Sequence, residues 1–291
     1  VSTLHFFKGH GTENDFVIVP DADGGLDLGV EQVAALCDRR AGIGADGLLR
    51  VVRSAKDPAA EQLAGEAEWF MDYRNGDGSI AEMCGNGVRV FARHLVERGL
   101  VEPGQVRVAT RGGVKVVTVP AEGAITVDMG VARWPGSAGI GVEVEGRVRP
   151  ATNVDMGNPH AVVFVEDLAQ AGNLYTAPEV SPAGAYPHGV NVEFVVRRGP
   201  GHVAMRVHER GSGETRSCGT GACAVMVAAA RADGADPART GVPVTYTVDV
   251  PGGRLVITER VDGHIEMTGP AVIVAEGTVD LDRLCSDRLR G

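Results

Sequence analysis

Residues 82–90 read EMCGNGVRV, and residues 216–224 read RSCGTGACA. In each, a cysteine precedes Gly-x-Gly and a run with apolar residues at helical spacing. The pair decides the fold, because two further blocks repeat around it. ENDFVIV (13–19) is echoed by GNPHAVVF (157–164), with Asn158 lying 144 positions after Asn14. GIGADGLLR (42–50) is echoed by GVNVEFVVR (189–197), 147 positions on, and Cys218 follows Cys84 by 134. Any one match arises easily by chance. Three in the same order at nearly constant offset point to a duplicated unit, and so to two similar lobes.

Short β-branched runs such as FVIVP, VKVVTVP, VEFVV and VTYTVDV recur along the chain, bounded by Gly, Pro, Asp or Asn. That is the pattern of strands and turns. Three segments read as helices: LGVEQVAALCDRR (28–40), GVRVFARHLVERG (87–99) and TGACAVMVAAARADG (220–234). The order is strand-rich without regular βαβ alternation, which predicts an α+β fold with largely antiparallel sheets. SAKDPAAEQLAGEA (54–67) reads as a mobile surface insertion. Glycine and proline cluster in DMGVARWPGSAG (128–139), where the lobes should join. The expected lobes are residues 1–130 and 131–270, with the terminal strand within 271–291 returning to the first. GIGADG satisfies G-x-G-x-x-G, but it follows a helical segment rather than a strand, so it reads as a turn and not as a dinucleotide fingerprint.

The 291 residues exceed the usual size of one core, which agrees with two units. A net charge of −10 without a basic cluster argues against nucleic acid or an anionic membrane as partner. No apolar run approaches the ~18 residues of a membrane span, and the N-terminus lacks a charged segment followed by an apolar one. A cytoplasmic protein acting on a small molecule is the expectation. The cysteines at 37, 84, 218, 223 and 285 are odd in number, scattered and without C-x-x-C, so neither a disulfide scaffold nor a zinc ribbon is expected. The only lysines are Lys8, Lys56 and Lys115, none in a context that suggests a Schiff base.

If the lobes are related by pseudo-twofold symmetry, Cys84 and Cys218 face each other. The amides of Gly85, Asn86 and Gly87, and of Gly219, Thr220 and Gly221, then become free donors at two helix N-termini. Such ends favour carboxylates and thiolates and commonly lower a thiol's pKa. Two thiols on opposite sides of one carbon suit inversion: one thiolate removes the α-proton and the other thiol returns one from the far side. Arg210 can bind a carboxylate bidentately, Glu209 can hold an ammonium, and Asn14, Asn158 and Asn191 can donate and accept.

GTENDF (11–16), RNGDGSIAEMCGNGVR (74–89), GNPHAVVF, GVNVEFV (189–195), ERGSGETRSCGTGACA (209–224) and MTGPA (267–271) closely resemble the diaminopimelate epimerase family. The resemblance spans almost the whole chain. It implies a cofactor-independent isomerase that interconverts LL- and meso-diaminopimelate on the route to lysine and cell wall. It also implies two similar lobes, each a curled, mostly antiparallel sheet around a central helix, and a homodimer. By motif, Cys84 and Cys218 match the acid–base pair. Gly85, Asn86, Gly219 and Thr220 match the segments that hold the reacting carboxylate. Asn14, Asn75, Asn158, Asn191, Glu209 and Arg210 match recognition of the remaining amino-acid groups, and His160 and Glu209 match positions that tune the cysteines. Many members carry glutamine in the GIGxDQ block where this chain has Gly47.

Other readings weigh against these. A cysteine alone is usually a small buried hydrophobe, and that reading is preferred for Cys37 and Cys223; Cys285 reads as a tail residue. A zinc site from Cys84, Cys218 and His160 lacks closely spaced ligands. A racemase of proline or hydroxyproline would use the same cysteines without a second recognition end. A two-lobed binding protein needs no opposed thiols, and a redox dithiol protein would not exchange an α-hydrogen.

Overall fold

In the computed structural model, residues 3–136 and 139–286 are described; residues 1–2 and 287–291 of the expected first lobe, and residues 137–138 of the expected joint, lie outside them. The chain divides into Val1–Val127 with Pro270–Gly291, and Asp128–Gly269. The first unit begins β1 (Thr3–Gly11), β2 (Asn14–Pro20), α1 (Val30–Cys37), β3 (Gly47–Arg53), β4 (Trp69–Asn75), α2 (Gly85–Glu97), β5 (Gly104–Thr110) and β6 (Gly113–Val119). β7 (Ile125–Val131) runs past the boundary. The second unit holds β8 (Gly141–Val144), β9 (Arg147–Pro150), β10 (Thr152–Asp155), β11 (Pro159–Phe164), β12 (Val180–Ser181), β13 (Asn191–Gly199), β14 (His202–Glu209) and β15 (Gly213–Glu214). After these come α3 (Gly219–Ala232), α4 (Pro237–Thr240), β16 (Val244–Val250), β17 (Gly253–Glu259) and β18 (His264–Gly269). The final β19 (Val272–Asp280) and α5 (Leu281–Ser286) return to the first unit, where β19 pairs antiparallel with β1.

Both units follow one plan. From β1 to β6 the joins run antiparallel, parallel, antiparallel, parallel, antiparallel. From β10 through β11, β13, β14 and β16 to β17 they repeat that series. A parallel join needs a crossover. α1 supplies it between β2 and β3, α2 between β4 and β5, and α3 with α4 between β14 and β16. The fourth crossover, from β11 to β13, has no α-helix, only the 3₁₀ turn Leu168–Ala171 and β12. β12 joins β8 and β9 in a small separate sheet over the second unit's outer face.

Strand register places the duplication residue by residue. Phe16 pairs with Gly47, and His160 with Asn191. Gly47 is therefore the counterpart of Asn191, 144 positions apart like Asn14 and Asn158. The expected alignment of GIGADG with GVNVEF is three residues out of step, because it matched turn glycines instead of paired strand positions. The offset falls to 134 within a single connection. Arg53 pairs with Trp69 before it, whereas the counterparts Arg197 and Val203 also pair but with a much shorter link. The longer link is SAKDPAAEQLAGEA. It forms 3₁₀ turns at Ser54–Lys56 and Glu61–Leu63, and Ala60 and Ala67 pack with Val52, Phe70 and Ala109. Buried alanines therefore anchor what the sequence suggests is a mobile insertion.

Each sheet wraps a helix. α2 contacts every strand from β1 to β6, and β19; α3 contacts β10, β11, β13, β14, β16, β17 and β18. Seven strands laid flat span roughly 30 Å, while a helix is about 10 Å across, so a helix that touches them all lies inside a curled sheet. Burial follows. All of α2 from Gly85 to Leu95 is buried, including Arg89 and Arg93, and so is nearly all of α3. Strand residues alternate between the helix and the outer face. Val17, Val19 and Leu48 pack outward with Val33 and Leu36 of α1. Ala161, Val163, Val192 and Phe194 pack outward in the second unit. Phe16 and Leu49, and their counterparts His160 and Glu193, therefore face the helices.

Burial also gives α2 a pH response. The His94 ring is 1 % exposed and lies 4.7 Å from that of Phe7, with no hydrogen-bond partner on Nδ1 among the described residues. Burial, then the charges of Arg98 and His5, lower its pKa from 6.5 to about 4. Between those values the unfolded chain binds a proton that the folded one refuses, so stability rises with pH across that window. Acidification from pH 7 to 4 should cost about 3 kcal/mol through this residue alone. Denaturant melts of the native protein and of His94→Phe at both pH values check this: the variant should lose less stability on acidification.

Candidate active site

Cys84 and Cys218 occupy the same place in their units. Each is an extended residue (φ −136° and −116°) that caps a buried helix, and each sulfur accepts the amide of the third residue on, Gly87 or Gly221, at 3.4 Å. The sulfur takes the place of the side-chain oxygen that usually caps a helix. The residue two positions into each helix sits at a close approach, tighter in the second unit. A Cβ on Gly87 would stand 3.4 Å from Leu49 Cδ2 and Phe16 Cζ. A Cβ on Gly221 would stand 2.8 Å from Glu193 Oε1 and 3.2 Å from Cys218 Sγ.

In the first unit the Cys84 thiol donates to Asn14 Oδ1 at 3.5 Å, and Asn86 Nδ2 donates to the same oxygen at 3.2 Å. Asn14 Nδ2 donates to Asp46 at 2.8 Å. Asp46 and Asp15 are both bound by Arg39, and Asp15 also by Lys8; their donated hydrogen bonds, against burial, lower the Asp15 pKa to about 2. Asn86 Oδ1 accepts from the buried Arg89 at 3.0 Å. Asn75, at the end of β4, accepts from the Tyr73 hydroxyl and donates to Ser79.

In the second unit Asn158 Nδ2 donates to Thr220 Oγ1 at 3.4 Å, and that hydroxyl lies 3.6 Å from Cys218 Sγ. This is the counterpart of the Asn14–Asn86–Cys84 arrangement. His160 lies beneath it, its Nε2 3.0 Å from Asn158 Oδ1 and its Nδ1 2.7 Å from Glu193 Oε1. Asn191 Oδ1 accepts the Arg210 amide at 2.8 Å. Glu209 accepts from Thr215, while Arg210 donates to the His188 carbonyl.

The sequence profile described as Diaminopimelate epimerase matches residues 6–135 and 152–274. The chain is 71 % identical over 277 residues to the diaminopimelate epimerase of Streptomyces coelicolor, covering 95 % of this chain and 96 % of that one. It is 52 % identical over 290 residues to that of Thermobifida fusca, covering 97 % and 100 %. The chain belongs to the diaminopimelate epimerase family. It is accordingly an isomerase. The fold is shared more widely. A Bacillus anthracis phenazine biosynthesis protein of the PhzF family superimposes with a TM-score of 0.69 at 18 % identity, covering 96 % of this chain and 99 % of that one. A hydroxyproline epimerase from Agrobacterium vitis gives 0.64 at 18 % identity, covering 97 % and 93 %.

Two features set this chain apart from what its diaminopimelate epimerase motifs suggest. At Gly47 a Cβ would meet the Arg74 carbonyl oxygen at 2.6 Å and Tyr73 Cε2 at 2.8 Å. The tyrosine fills the space beside Gly47, and its hydroxyl holds Asn75. The second concerns Cys218. A helix N-terminus suggests a lowered thiol pKa, yet the Cys218 thiol is pushed well up. Burial is the largest cause, followed by the negative charges of Glu209 and Glu193; the Thr220 hydroxyl and Gly221 amide oppose them and lose. Cys37 is likewise pushed up, to about 12, by burial.

Glu193 is a residue that the sequence reading missed. Its signal was available: in NVEFVV (191–196) a glutamate interrupts an apolar strand on the same face as Asn191.

Proposed function

We propose that the chain interconverts LL- and meso-diaminopimelate without a cofactor, in lysine and cell-wall precursor synthesis, by passing the α-proton between Cys84 and Cys218. The equivalence of the two sulfur-capped helix N-termini carries this reading. One thiolate takes the α-hydrogen: an S–H bond forms, the Cα–H bond breaks and the electron pair stays on the substrate. The other thiol breaks its S–H bond and delivers that proton to the opposite face, leaving a thiolate ready for the reverse direction. Amides at the helix ends stabilise the substrate carboxylate as charge builds up on it. The upward shift of Cys218 favours its protonated thiol. The two thiols titrate as a pair. The helix starts (Gly85, Asn86, Gly219, Thr220) hold the reacting carboxylate. Asn14, Asn75, Asn158, Asn191, Glu209 and Arg210 recognise the remaining amino-acid groups, and His160 and Glu209 tune the cysteine pair.

The competing activity is racemisation of proline or hydroxyproline, which has one polar end to recognise. The guanidinium of Arg210, which can bind a carboxylate bidentately, favours a ligand with a second carboxylate. Incubation with α-deuterated LL-diaminopimelate and with α-deuterated proline separates the two. Deuterium should be lost to water from diaminopimelate, with meso product forming, and retained in proline. The opposite pattern overturns the reading.

A further inference from the structure

The two half-sites are equivalent in backbone but not in what lies beneath the cysteine helix. Beneath α2 lie Phe16 and Leu49; beneath α3 their counterparts are His160 and Glu193, both fully buried. We propose that Glu193 is a positioning residue of the second half-site, setting the proton arrangement of His160 and, through it, the orientation of the Asn158 amide beside Thr220 and Cys218. The inference rests on the epimerase reading above.

The hydrogen bonds support this step by step. His160 Nδ1 faces a carboxylate oxygen and Nε2 faces an amide oxygen, both of them acceptors. An imidazole between two acceptors needs hydrogen on both nitrogens, or a proton shared between Nδ1 and Oε1. Either way the pair carries no net charge, and Asn158 must turn Oδ1 to the ring and Nδ2 to Thr220 Oγ1, 3.4 Å away. Without Glu193 a neutral ring can present a bare Nε2, and the amide is free to flip. Thr220 then meets an oxygen where it had met an NH₂, next to Cys218 Sγ. Glu193 Oε2 has no hydrogen-bond partner among the described residues, so only the bond to His160 holds the carboxylate. A buried carboxylate kept on one hydrogen bond is costly, which points to a role beyond packing.

The charged and titratable groups around the pair come from several elements. Glu209 at the end of β14 and Glu193 on β13 face Cys218 on α3. The charge of Glu193 also reaches Tyr186 in the outer connection; burial first, then that charge, push its hydroxyl up to about 12, so it stays protonated.

The test uses the full chain carrying Glu193→Gln, which is isosteric, the single variants His160→Phe and Glu193→Leu, and their pair, which copies the floor of the first unit. Steady-state kinetics with LL-diaminopimelate are measured from pH 6 to 10, together with ¹⁵N NMR of the His160 ring without substrate. Glu193→Gln should lower kcat about 10- to 100-fold, the usual effect of removing an outer hydrogen-bond partner, and leave KM within about threefold. Its pH profile should move and the His160 nitrogens should shift toward a neutral ring. The double variant should lose no more than Glu193→Leu alone, because both act through one chain of contacts. Native kcat and pH profile in Glu193→Gln, or additive losses in the double variant, overturn the proposal. If the native protein does not turn over diaminopimelate, the epimerase reading falls by itself. The NMR comparison still decides Glu193: unchanged His160 shifts in Glu193→Gln overturn it.

Discussion

Cys84→Ala and Cys218→Ala should each remove epimerisation, with turnover down by at least about 1,000-fold, while the protein stays folded. General acid–base groups commonly contribute about 10²- to 10⁴-fold, and inversion through two groups leaves no route that bypasses either one. The fold should survive, since each change deletes one sulfur at the start of a helix that is buried along most of its length. Melting temperature and far-UV circular dichroism check this. The sharper reading compares exchange with inversion. A variant with one thiol can still exchange the α-hydrogen of one isomer on one face, but it cannot deliver a proton to the other. Solvent deuterium entering one isomer without inverted product supports two separate proton carriers. Near-native inversion in either variant refutes the two-base mechanism.

The second large effect separates two glycines that look alike in sequence. Gly221→Ala should cost about 100-fold in kcat, whereas Gly87→Ala should cost far less. The new Cβ at 221 meets Glu193 Oε1 at 2.8 Å and Cys218 Sγ at 3.2 Å, so either the carboxylate or the thiol must move. Displacements near 1 Å at a reacting group commonly cost about 10²-fold. At 87 the nearest atoms are Cys84 Cβ, Leu49 Cδ2 and Phe16 Cζ at 3.3–3.4 Å, which small shifts of apolar side chains relieve. Equal losses at the two positions would show that the polar floor of the second half-site has no special demand.

The CGxG blocks and the Asn14/Asn158 pair were legible in the sequence because a local motif precedes each helix and both copies kept it. The strand-rich α+β character followed from β-branched runs between turn residues. The middle block was misaligned because register is a property of pairing between strands, and Gly42 and Gly189 resemble each other more than Gly47 resembles Asn191. The small sheet of β8, β9 and β12 escaped notice since its strands are two to four residues long. Apolar periodicity needs more length than that. The rise in the Cys218 pKa was also out of reach. The motif supplies the helix end, but the opposing burial and carboxylates come from β13 and β14, which only the folded chain brings together.

The route of the chain also sets an order of events. Asp128–Gly269 is one continuous segment, so everything the second unit needs has been synthesised once residue 269 is made. The first unit starts earlier and finishes later. β1 pairs with β19 from Thr3–Asp280 to His10–Val272, and the buried Arg89 of α2 donates to the Pro270 carbonyl. During synthesis the β19 side of β1 therefore waits, unpaired, until residues 272–280 are made. Domains usually fold from the N-terminus as they emerge. Here the later-made unit can finish first, and the cysteine helix nearer the start of the chain gains its contacts with β19 only after that unit is made.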